Sequence, residues 1–209
     1  MLQSVRRPFD HPHPNELAAA YQNFDAGKFA RQEFDAYVAQ AKIILQSDLR
    51  AAGIGTINGL KFFDYGCGGG TFVKAAAELG ADARGIDLDK EDAKFGRLHN
   101  LTIDVGDYRR LGERLGPQAF SAILINHVLE HIPRPADALK SLLRKLEPGG
   151  VLIIRVPDQD SLPAQIKLVL RKVGVKASEW GYVQPPIHLH GYSIETGRWR
   201  RSTIWRSCA

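Results

Sequence analysis

The stretch Asp64-Tyr65-Gly66-Cys67-Gly68-Gly69-Gly70-Thr71 packs four glycines into five positions, between a short apolar run and a helical one. Glycines lack a Cβ, so backbone there turns tightly and approaches a ligand closely. A helix starting near Thr71 offers free N–H groups and the positive end of its dipole to an anionic group. By itself such a cluster is also compatible with a plain tight turn. The segments on either side decide what it belongs to.

Those segments alternate. Residues 60–65 read as a short strand, 71–79 as a helix, 83–87 as a strand and 89–98 as a helix. A third strand follows at 101–105, and 120–126, with Ala-Ile-Leu-Ile in its middle, reads as a buried strand. Residues 137–146 read as a helix closed by Pro148-Gly149-Gly150, ahead of a fifth strand at 151–156. Strand and helix in alternation predict an α/β fold with a doubly wound, mostly parallel sheet. Ahead of it, residues 15–52 read as helical, with Phe34, Val38, Ala41, Leu45 and Leu49 forming one apolar stripe. The turn cluster Gly53, Gly55, Asn58 and Gly59 ends that segment. The chain therefore divides into an N-terminal helical extension (1–59), an α/β core (60–158), an insertion running into the start of a helix (159–196) and an irregular basic tail (197–209). In the insertion, residues 165–173 are amphipathic, either a helix packed on the domain or a cap over a ligand pocket.

In a doubly wound sheet, ligands bind beyond the carboxyl ends of the strands, where the strand order reverses. Asp87 ends the second strand, placed for ribose hydroxyls. Leu88 beside it offers an apolar surface to an adenine face, and Asp107 after the third strand an acceptor for an exocyclic amine. Singly, each aspartate is an ordinary turn or cap residue. On successive strand ends they describe an adenosine pocket. The dinucleotide fingerprint requires its third glycine or alanine where Thr71 stands, and Gly70 comes one residue early. A Walker loop is excluded, since no Gly-Lys-Ser/Thr occurs. The spacing Gly66-x-Gly68-x-Gly70 suits the short amino-acid end of S-adenosylmethionine better than a pyrophosphate.

Five motifs in order resemble the class I S-adenosylmethionine-dependent methyltransferases of the small-molecule type. They are Asp64-x-Gly66-Cys67-Gly68-x-Gly70, Gly85-Ile86-Asp87, Gly106-Asp107, Asn126-His127-Val128-Leu129-Glu130-His131-Ile132-Pro133 and Leu146-Glu147-Pro148-Gly149-Gly150. The resemblance implies a Rossmann-like methyltransferase fold that binds S-adenosylmethionine and methylates a small-molecule acceptor. It implies that Gly66, Gly68 and Gly70, with Asp64 and Cys67 in the same loop, cradle the methionine end. Asp87 would hold the ribose, with Leu88, Asp107 and Tyr108 around the adenine, and Asn126 and His127 would line the site beside the sulfonium. An in-line displacement needs mainly positioning. A hydroxyl acceptor also needs a base, and the candidates are His131 and His188. O-methylation is the expected chemistry.

His127-Val128-Leu129-Glu130-His131 matches H-x-x-E-H, but a zinc site there needs a continuous helix, and Pro133 and Pro135 follow at once. No metal is expected. The net charge is +5 and the pI about 9.3, yet Arg198, Arg200, Arg201 and Arg206 in the tail supply most of the excess. Nucleic acid is therefore not the expected substrate. Where the family usually carries an acidic residue in the fourth strand, this chain has Ser121. After Tyr192-Ser193-Ile194-Glu195-Thr196, residues 197–209 lose all periodicity. The expectation is a truncated C-terminus with the final strands missing, leaving the fifth strand as an exposed edge open to self-association. A non-catalytic, cofactor-binding remnant and a nicotinamide-linked oxidoreductase are the alternatives. Two cysteines, the lack of a signal-like N-terminus and the lack of a long apolar run point to the cytoplasm, without membrane insertion.

Overall fold

The computed structural model describes residues 33–109, 111, 115–116, 119–157 and 189–192, together with the backbone of 202–206. In chain order the elements are α1 (Phe34–Ala51), β1 (Lys61–Tyr65), α2 (Thr71–Glu78), β2 (Asp82–Asp87), α3 (Lys90–Leu98) and β3 (Thr102–Val105). There follow β4 (Phe120–Asn126), a 3-10 turn (Leu129–His131), α4 (Pro135–Leu143), β5 (Leu146–Arg155) and β6 (Ser202–Arg206). The strands form one sheet in the order β3-β2-β1-β4-β5-β6. The first five are parallel, as the alternation predicts, and β6 runs antiparallel to β5. The order reverses between β1 and β4, so the switch point lies at their carboxyl ends.

Both faces of the sheet are covered, which is why its central strands read as continuous apolar runs. Phe62, Ala122, Leu124, Val151 and Ile153 face α1 and α2, meeting Leu45, Leu49 and Ala76. The alternate residues Phe63, Tyr65, Ile123, Ile125, Leu152 and Ile154 pack with Leu139 and Leu142 of α4. Full burial of each large side chain contributes about 1.5–3 kcal/mol. The apolar stripe predicted on α1 is buried as Phe34, Val38, Ala41, Leu45 and Leu49. Asp48 on the same helix reaches across to Arg155 at the end of β5, with 2.9 Å between Oδ2 and Nη1. The predicted helix over 15–52 is described from Phe34 onward, and the amphipathic segment 165–173 lies outside the described residues.

Two sequence expectations are corrected. Pro148-Gly149-Gly150 does not close a helix. The helix stops at Leu143, and β5 already pairs at Leu146 with Phe120 before bulging. Gly149 sits at φ +77°, and a Cβ on Gly150 would lie 2.9 Å from the Glu147 carbonyl oxygen. The bulge brings Glu147 to Ser121 Oγ at 3.0 Å and to Lys61 Nζ at 2.7 Å. A carboxylate thus stands beside Ser121, supplied by β5 rather than β4.

The second correction concerns the tail. Residues 202–206 are a strand, not irregular chain, and pair along β5 from Arg155↔Ser202 to Val151↔Arg206. Thr203, Ile204 and Trp205 carry the β propensity, and the unpaired backbone groups of β5 supply the template. The β5 edge expected to promote self-association is therefore covered. Among the described residues no helix is long and apolar enough to cross a membrane.

Candidate cofactor and acceptor site

The glycine loop leaves β1 and enters α2 at the switch point. Gly66 and Cys67 both donate their N–H to the Ile86 carbonyl, at 2.8 and 3.1 Å, so the loop is anchored to β2. Gly66 has φ +75°, and a methyl there would run into the Val128 side chain. Gly70, at φ +91°, is the N-cap of α2 and contributes no side-chain cap. Gly85 in β2 is also sterically required, since a Cβ would lie 2.5 Å from Cys67 Sγ.

Three carboxylates converge on the same end of the sheet. Asp64 is 2% exposed, and its Oδ1 has no hydrogen-bond partner among the described residues. Burial, reinforced by the nearby Asp87 charge, pushes its carboxyl up to about 8. Asp87 accepts from Gly68 N at 2.7 Å and from Asp89 N at 2.8 Å. Burial raises its carboxyl too, against those hydrogen bonds. Asp107, 8% exposed, accepts from Arg109 N at 2.9 Å and Nε at 2.7 Å, and pairs with Arg109 Nη2. Tyr108 donates its N–H to the Tyr65 hydroxyl at 3.1 Å. The Cys67 thiol is pushed well above its usual value, first by burial and then by Asp64.

Leu88 is 70% exposed on the loop after β2, with its apolar surface open to solvent. Asn126 ends β4, and His127 follows in the left-handed region at φ +54°, its N–H bonded to the Arg155 carbonyl at 2.8 Å. His131 closes the 3-10 turn. Its Nε2 lies 3.9 Å from Oε1 of Glu130. His188 lies outside the described residues. The structure thus brings Asp64, Asp87, Asp107, Asn126 and His127 to the carboxyl ends of four adjacent strands.

Two residues escaped sequence reasoning. Arg109 occupies the Asp107 carboxylate, and only the i,i+2 acid–base spacing hints at it. Glu130 is 2% exposed, which its place in a polar motif conceals. The H-x-x-E-H segment is a single 3-10 turn, not a helix.

The profile of a family described as "Methyltransferase domain" matches residues 29–200. A protein from Xanthomonas campestris named ubiquinone biosynthesis O-methyltransferase is 32% identical over 155 residues, covering 69% of this chain and 65% of that protein. A protein of the same name from Alkalilimnicola ehrlichii is 36% identical over 114 residues, covering 52% of this chain and 46% of its own length. The chain thus spans roughly half to two thirds of the curated relatives it matches. Among solved structures, an S-adenosylmethionine-dependent methyltransferase from Archaeoglobus fulgidus superposes with TM-score 0.55 at 21% identity, over 75% of this chain and 65% of the other. That likeness shows the fold.

Proposed function

Because this chain belongs to the class I S-adenosylmethionine-dependent methyltransferases, we propose that it transfers a methyl group to a hydroxyl oxygen of a small-molecule acceptor. The observation that carries this is the cradle at the switch point. Its glycine loop leaves no room for a Cβ at Gly66, and the buried Oδ1 of Asp64 lacks a donor among the described residues. Both features fit the amino-acid end of S-adenosylmethionine, whose ammonium would supply the missing donor. When bound, that group supplies a methyl carbon on an already activated sulfur leaving group.

The chain's own residues then have positioning roles. Asp87 is already oriented by Gly68 N and Asp89 N, so its carboxylate is fixed for ribose hydroxyls. Asp107 takes the adenine amine in place of part of its Arg109 contact, with Leu88 and Tyr108 flanking the ring. Gly66, Cys67, Gly68 and Gly70 form the floor, and Asn126 and His127 face the transferred carbon. His131 and His188 remain the candidate bases from sequence. Oxygen as the methylated atom is supported by the names of the curated relatives.

Calorimetric titration with S-adenosylhomocysteine, with NAD in parallel, tests the reading. Binding of S-adenosylhomocysteine alone supports it, followed by screening hydroxylated small molecules for methyl incorporation. A folded sample that binds NAD instead, or neither, overturns it.

A further inference from the structure

Glu130 lies at this end of the sheet and takes no part in the cofactor cradle. Its carboxylate is 2% exposed, and neither oxygen has a hydrogen-bond partner among the described residues. A carboxylate held this way is costly, and an apolar side chain of similar volume would serve packing better. Two imidazoles flank it. His127 Nδ1 lies 3.7 Å from Oε1, and His131 Nε2 lies 3.9 Å from the same oxygen. The backbone is arranged to allow this. His127 adopts a left-handed conformation unusual for a residue with a Cβ. The Glu130 carbonyl accepts N–H groups from Leu189 at 2.8 Å and His190 at 3.1 Å, so that segment lies against the turn. The Tyr192 phenol is pushed upward first by burial and then by the Glu130 charge.

The two histidines differ in access. The His131 side chain is 21% exposed and that of His127 is 56% exposed. His127 turns Nδ1 inward, so ring geometry directs Nε2 away from the carboxylate. We propose that Glu130 is a positioning residue that holds His127 as the base for the acceptor hydroxyl, fixing its Nδ1–H tautomer and leaving Nε2 to receive the proton. This rests on the O-methylation reading above, and it moves the base from His131 or His188 to His127. The contacts are ion-pair distances rather than hydrogen bonds. Catalytic hydrogen bonds are commonly long in ligand-free structures and tighten when the site fills.

The acceptor O–H bond breaks, an N–H bond forms at Nε2, and the electron pair left on oxygen goes to the new bond to carbon. The imidazolium so formed is stabilised by the buried carboxylate and releases its proton to solvent through its exposed side. One carboxylate favours one cation, so His131, whose Nε2 lies 3.9 Å from the same oxygen, stays neutral in this step. The nitrogen that carries the proton is set in each ring by the partner of the other.

The test is nitrogen NMR of the full chain with 15N-labelled histidine, with His127→Asn and His131→Asn used to assign the two rings. The expected result is Nδ1–H at His127 and Nε2–H at His131 in the unmodified protein. Glu130→Leu should return His127 to the Nε2–H form, keep S-adenosylhomocysteine binding and leave the melting temperature equal or higher. His127 found as Nε2–H in the unmodified protein overturns the proposal, and that measurement needs no variant to fold. A Glu130→Leu protein that melts lower while His127 keeps its tautomer also overturns it, assigning Glu130 to structure. Loss of S-adenosylhomocysteine binding in the unmodified protein would instead sink the methyl-transfer reading, whatever the tautomer.

Discussion

Gly68 donates its backbone N–H to Asp87 Oδ2 at 2.7 Å, so the glycine loop and the end of β2 are set as one unit. The carboxylate proposed to hold the ribose is thus the one that holds the loop. Replacing Asp87 with Asn keeps the shape and removes the charge. S-adenosylhomocysteine affinity should fall by about tenfold or more, the scale of a lost charged hydrogen bond. Calorimetry on the two proteins reads it directly.

Asp64 links the cradle to pH. In the unfolded chain its carboxyl titrates near ~4, whereas in the fold it is pushed up to about 8. Between those values the folded state keeps a proton that the unfolded state releases, so stability falls as pH rises from acid toward 8 and levels off above it. The contribution is on the order of a few kcal/mol. Melting curves between pH 5 and pH 9 should show it, and Asp64→Asn should flatten the decline. An equally steep decline in the variant would remove Asp64 as the cause.

Gly66→Ala combines two penalties. Left-handed backbone costs a residue with a Cβ about 1–2 kcal/mol, and collision with Val128 adds about 1–3 kcal/mol of overpacking. Denaturant unfolding should separate them. Adding Val128→Ala should recover the collision and leave the backbone penalty in place.

The Asp48–Arg155 pair joins α1 to the end of β5 at 2.9 Å, with Asp48 almost wholly buried. Asp48→Ala strands the Arg155 guanidinium and should cost about 1–3 kcal/mol. The double variant Asp48→Leu with Arg155→Met should come back near the parent stability, because paired removal avoids the uncompensated charge. A double variant no better than the single one would show that the pair acts through something other than charge.

The parallel sheet was legible because its strands follow simple rules. Phe62 and Phe63, or Leu124 and Ile125, point to opposite faces that are both buried, and glycines mark the one strand end where backbone must turn. Asp64, Asp87 and Asp107 could be placed at one end of the sheet by the same rule, since each lies at or within two residues of a strand's end. What could not be read depends on distant chain. Glu130 is buried where Leu189 and His190 bond to it, and nothing local announces that contact. Arg109 is a local exception: its side chain stays largely exposed, and its i,i+2 spacing from Asp107 does not by itself say that the two meet. The strand at 202–206 is hidden by arginines that spoil its periodicity, and only the waiting edge of β5 gives those residues an extended partner. Pro148-Gly149-Gly150 reads as a stop, and it proves to be a bulge within a strand.

The pairing of β5 with β6 also sets a timetable for the nascent chain. Arg155 is joined to the growing chain before Ser202 exists, and residues 156–201 must be made in between. At about 5–20 residues per second that interval is roughly 2–9 s. Until Ser202 to Arg206 arrive, Val151 to Arg155 lack their antiparallel neighbour. A chaperone holding that edge, or slowed translation of 156–201, would therefore change the yield of soluble protein without altering the stability of what finally folds.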